Sequence, residues 1–151
     1  NMSLTVCLDI ATRLKSLSSG IFIREEGVTK EISREEWGNR FPDSEPVILQ
    51  SVEGETTTVY SGNVTHNLAA MAEVAGMYIY LWHPEDVGVK TAKQLLHPLL
   101  GGIYTLIGDP EKFEEYNPQN GWGTYEGLIS FLIDYLAACH KYPNATVSVS
   151  R

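Results

Sequence analysis

Up to about Gly62 the apolar positions follow strand patterns, and beyond it they follow helical ones. Leu4 to Ile10 is β-branched and apolar, which predicts a strand. Ile21 to Arg24 and Val28 to Ile32 flank Glu25-Glu26-Gly27, a hairpin turn in which glycine supplies positive φ. Val47 to Val52 and Thr56 to Tyr60 flank Glu53-Gly54-Glu55 and predict a second hairpin by the same logic. Between them Ser33-Arg-Glu-Glu36 has capping-box form and opens a short helix to about Phe41. Pro42 and Pro46 then impose an extended connection.

In the second half Asn63 or Thr65 caps a helix to about Ala75. Leu68, Met71, Ala72 and Ala75 share one of its faces, and Gly76 is the stop. Thr91-Ala-Lys-Gln94 is another capping box. It opens a helix with Ala92, Leu95, Leu96, Leu99, Ile103 and Leu106 inward and a kink expected at Pro98. Asp109-Pro110 starts a short helix to about Tyr116. Thr124 opens the last one, with Tyr125, Leu128, Ile129, Leu132, Leu136 and Cys139 at helical spacing. Phe131, Ile133 and Tyr135 make a second face of that helix apolar, which predicts a central position or a subunit interface. Ala145 to Val149 reads as a terminal strand that needs an edge to pair with. The expected class is α+β: an antiparallel sheet from the N-terminal half plus the C-terminal strand, with helices packed on one face. Residues 2–151 read as one domain, mostly β hairpins over 2–62 and mostly helical over 63–151.

Composition narrows the function more than it identifies it. The 151 residues carry 11 basic and 19 acidic side chains, a net charge of −8. The acidic excess is split evenly between residues 1–62 and 63–151, so no basic face for nucleic acid is expected. No apolar run approaches the roughly 18 residues that cross a bilayer. The longest, Leu95 to Ile107, is interrupted by His97, Pro98, Gly101 and Gly102. With no secretion-type leader in view, a cytoplasmic protein with no membrane partner is expected. Cys7 and Cys139 are read as unpaired thiols in apolar contexts. His66, His83, His97 and His140 are scattered, with no metal-binding spacing. Nucleophile elbows and glycine-rich phosphate loops are absent, and no cofactor is implied.

Residues 63–151 resemble a family of small proteins, of no assigned activity, associated with phages and prophages of bacteria. The resemblance rests on Asn63-Val-Thr-His-Asn-Leu68, Met71-Ala72, Ala75-Gly76, Leu81-Trp82-His-Pro-Glu85 and Gly88. It continues through Pro98-Leu-Leu100, Asn117-Pro-Gln-Asn-Gly-Trp-Gly-Thr-Tyr125, Tyr135-Leu-Ala-Ala-Cys139 and Val149-Ser-Arg151. The Asn-Pro-x-Asn-Gly-Trp-Gly stretch is its most distinctive part. Two positions depart from the pattern: His83 stands where arginine is more usual, and Gly101-Gly102 where a charged helical pair is. The resemblance implies no activity.

The candidate site is the loop Asn117 to Tyr125. Asn117 and Asn120 offer amide donors and acceptors, and Trp122 and Tyr125 offer flat faces. Gly121 and Gly123 permit close backbone approach, and Thr124 leads into a helix N-terminus that attracts anions. His66 and Asn67, at the start of another helix, are expected to face this loop. The competing reading is structural, with Trp122 in the core and the asparagines bracing turns. The leading functional expectation is a non-catalytic binding protein for a small polar ligand of nucleotide type. By analogy with phage proteins, it would sequester a host signal. The alternatives are a protein–protein interaction module, such as an acidic inhibitor of a host enzyme, and an enzyme with His66 as acid/base. The twice-apolar last helix also predicts a homo-oligomer, a dimer first.

Overall fold

The computed structural model describes residues 2–11, 19–48 and 56–151. The chain divides into two compact units, one of residues 1–10 and 57–151, the other of residues 11–56.

The larger unit is built on a three-stranded antiparallel sheet of order β4-β1-β5, from β4 (Thr56–Thr65), β1 (Ser3–Ala11) and β5 (Thr146–Ser150). β5 pairs with β1 in the register Val6↔Val149 and Leu8↔Val147. That register puts four apolar side chains on one face, and Leu4, Val6 and Leu8 are fully buried there. The alternate positions, Thr5↔Ser150, Cys7↔Ser148 and Asp9↔Thr146, are polar or small. Side-chain bonds tie β4 to β1: Asn63 Nδ2 donates to the Ser3 and Thr5 hydroxyls, and Thr58 Oγ1 to Asp9 Oδ1 at 2.6 Å. The expected α+β class is therefore present, with the terminal strand paired as required.

Helices cover the apolar face: α2 (Ala69–Val74), α3 (Tyr78–Trp82), α4 (Leu96–Gly108), α5 (Pro110–Glu114) and α6 (Tyr125–Lys141). Met71, Leu81, Leu95, Leu99, Leu106, Phe113, Leu128, Leu132 and Tyr135 join the strand residues in one core. Fully burying side chains of this size stabilises by about 1.5–3 kcal/mol each.

The caps act as the sequence predicts. Thr91 and Gln94 form a reciprocal capping box, Asp109 accepts from the Lys112 N–H, and Thr124 from the Gly127 N–H. Four helical details differ. The helix expected from 65 to 75 begins as a 3-10 turn, His66–Leu68, and becomes α-helical only at Ala69. The segment from Thr91 also opens as a 3-10 turn, Ala92–Leu95, so Pro98 falls in the first turn of α4. A proline there breaks no intrahelical bond, and the reason to expect a kink disappears. α5 stops at Glu114, short of Tyr116. Finally α3 was not expected at all, because Tyr78-Ile-Tyr-Leu-Trp82 has no cap and is apolar without a clear period.

In the smaller unit β2 (Ile21–Glu25) and β3 (Val28–Ile32) form the expected hairpin, with Glu26 and Gly27 at φ 52° and 79°. These strands make a two-stranded sheet of their own and are not part of the β4-β1-β5 sheet. α1 (Arg34–Arg40) follows, capped by Ser33 Oγ on the Glu36 N–H. The turn of the second expected hairpin, Glu53-Gly54-Glu55, lies outside the described residues, as do residues 49–52. Its second arm, Thr56 to Tyr60, is the start of β4.

Candidate functional site

The loop from Asn117 to Thr124 joins α5 to α6 and is braced by its own side chains. Asn117 Oδ1 accepts from the Tyr125 N–H at 2.8 Å. Asn120 Oδ1 accepts from the Trp122 N–H at 2.9 Å, and Thr124 Oγ1 from the Gly127 N–H at 2.9 Å. Gly121 and Gly123 stand at φ 75° and 108°. The result holds Trp122 out in solvent, with 62% of its surface exposed. Burial of Trp122 in the core, the structural alternative, is therefore not what the fold does.

Tyr125 does go inward. It is buried, and its hydroxyl donates to the Leu106 carbonyl at 2.6 Å, joining the start of α6 to the end of α4. Its phenol is pushed up, first by burial and then by Glu114, Glu126 and Asp109. The first-turn N–H groups of Tyr125 and Gly127, meanwhile, are already taken by Asn117 and Thr124. A capped N-terminus with Glu126 in its first turn is a poor anion site, whatever the helix dipole supplies.

The loop does approach the turn that carries His66 and Asn67. A Cβ on Gly123 would stand 2.8 Å from Thr65 Cγ2 and 2.9 Å from Leu68 Cγ. His66 itself is committed elsewhere: Trp82 Nε1–H donates to its Nδ1 at 2.9 Å, so the neutral ring carries its proton on Nε2. Asn67 is exposed, and its backbone N–H donates to Thr65 Oγ1 at 3.3 Å. So the two segments meet through Gly123, while the ring of His66 is tied to Trp82.

Two further features lie away from the residues that the sequence singles out as a site. Trp82 ends α3, buried, with Tyr78 stacked at 5.2 Å. His83 lies 3.7 Å from Glu85 and 3.9 Å from Asp86. Arg151 Nη1 donates to the Trp82 carbonyl at 2.7 Å and also to Glu85. The Glu85 carboxyl is held below the usual carboxylate range by its own backbone N–H and then by Arg151. No local motif announces a contact across 66 residues. The second feature is an open groove of about 710 Å³ lined by β4 and α6, including Tyr60, Asp134, Lys141 and Tyr142. None of His66, Asn67, Asn117, Asn120, Trp122, Thr124 and Tyr125 lines it. Seven-residue spacing of Asp134 and Lys141 was the available signal.

Among the described residues, no group of three or more His, Cys, Asp or Glu side chains is placed to hold a metal ion. No helix among them is long and apolar enough to cross a membrane. Cys7 and Cys139 are both free. No family model, curated protein or solved structure matches the chain.

Proposed function

We propose that this is a non-catalytic binding protein, that Trp122 is its contact residue, and that it acts as a protein–protein interaction module. The observation that carries the proposal is the 62% exposure of Trp122 on a loop fixed by three internal hydrogen bonds. An exposed indole adds nothing to the core. On a rigid loop it loses little conformational entropy on contact, as interface anchors do.

The net charge of −8 favours a basic partner group over an anionic one. An arginine or lysine laid on the indole gains a cation–π contact of about 0.5–1 kcal/mol at an exposed site. A nucleotide phosphate gains no such contact and meets the acidic excess as repulsion, so the small-ligand reading has less support than the protein one. The resemblance of residues 63–151 to phage-associated proteins supplies a setting, in which the partner is a host protein.

The indole N–H resonance of Trp122, assigned with Trp122→Phe, tests this directly. Titration with the peptide acetyl-Gly-Arg-Gly-amide is expected to shift it, and titration with adenosine monophosphate is not. A saturable shift with the nucleotide and none with the peptide overturns the proposal in favour of a small anionic ligand. No shift with either removes Trp122 as a recognition group.

A further inference from the structure

The groove between β4 and α6 is independent of the Trp122 loop. Five consecutive β4 residues, 59–63, line it. A sheet face presents only alternate residues, so the groove follows the edge of the strand. Among the described residues β4 is an outer strand of its sheet, and an outer strand leaves one side of its backbone without a ladder partner. The opposite wall is the solvent face of α6, where Gly127, Ser130, Asp134, Ala137 and Lys141 recur at three- and four-residue spacing.

The charges on that wall have a definite pattern. Asp134 and Lys141 are both exposed, and among the described residues neither forms an ion pair within the chain. Asp134 is near enough to Tyr60 to help raise its phenol, after burial. Lys141 lies over the ring of Tyr142 at 5.3 Å. The two charges are two helical turns apart, about 10 Å along the axis, with Ala137 between them. Such a face is complementary to itself. A second α6, laid antiparallel with Ala137 at the crossing, brings Asp134 opposite the partner's Lys141 and Lys141 opposite the partner's Asp134. The methyl group of Ala137 leaves the two helices room to approach.

We propose that the α6 wall of this groove is the interface of a two-fold symmetric dimer, and that its occupant is α6 of a second copy. The symmetry is that of a closed isologous contact, in which each residue's partner contacts it in return. Pairing across the groove also shields the β4 edge, which otherwise invites pairing with unrelated strands.

Three measurements on the full chain decide it. Light scattering between 10 and 200 µM is expected to show the dimer mass. Ala137→Cys places a thiol at the two-fold axis, opposite its own copy, and is expected to give a disulfide-linked dimer on mild oxidation. Ala70→Cys, an exposed position on α2, serves as the control and is expected not to cross-link. Asp134→Lys is expected to weaken the dimer by about tenfold or more through like-charge repulsion, and adding Lys141→Asp to restore it. Monomer mass throughout overturns the proposal. So does a dimer that neither cross-links through position 137 nor responds to the charge reversal, because it uses a different surface.

Discussion

Cys139 shows how a single buried group ties stability to pH. Its side chain is fully buried on α6, and burial pushes the thiol up to about 12 from an ordinary value of 9. Between those values the unfolded chain loses the proton and the folded chain keeps it, so the folded state binds more protons. Stability from this group is fully present below pH 9. It falls as pH rises toward 12, by up to about 1.4 kcal/mol per pH unit. Tyr135, buried beside it with a hydroxyl that has no hydrogen-bond partner among the described residues, is shifted in the same direction, by burial first. Urea unfolding at pH 8 and pH 10.5 is expected to give a lower stability at the higher pH. Cys139→Ala, compared with itself over the same interval, is expected to show a smaller drop. An equal drop in both proteins would assign the alkaline loss to other groups.

At the scale of elements, the α5–α6 loop depends on two glycines for different reasons. Gly121 needs its backbone angle only: at φ 75° nothing lies within 4 Å of a Cβ placed there. Alanine there costs about 1–2 kcal/mol, the ordinary penalty of left-handed backbone. Gly123 adds a clash to the angle, because a Cβ would enter the van der Waals shell of Thr65 and Leu68. Gly123→Ala is therefore expected to lower the melting temperature clearly more than Gly121→Ala, as differential scanning calorimetry of the pair would show. Equal losses would mean that the loop does not press on the 65–68 turn.

The same loop marks how far sequence reasoning reaches. Its caps, its turn chemistry and the helix that follows are local, and local rules identify them. The terminal strand is legible as well, because Ala145 to Val149 alternates, but neither its pairing with β1 nor the separate β2-β3 sheet can be read from local pattern. What local rules missed depends on distant partners. α3 has no cap of its own and is held by burial of Leu81 and Trp82. Pro98 reads as a kink only when the α-helix is taken to begin at Ala92; the 3-10 turn over Ala92–Leu95 puts it in the first turn of α4 instead. For the site, Trp122 was identified, but its exposure was not fixed by its neighbours. The orientation of His66 toward Trp82 joins residues 16 positions apart and left no local trace.

For the whole molecule, the net charge of −8 and the exposed indole belong to one account of recognition. Asn117, Asn120 and Thr124 brace the loop, and Tyr125 anchors its end to α4, so Trp122 is presented without drawing on the core. Replacing Trp122 with alanine is the measurement that tests this most directly, made for stability and for binding together. The account predicts a melting temperature nearly unchanged, within the roughly 0.5 kcal/mol typical of surface substitutions, and loss of the chemical-shift response of the loop amides to the arginine peptide. A large fall in melting temperature would show that the indole serves the fold. Loop amides that respond as strongly without it would show that recognition lies elsewhere.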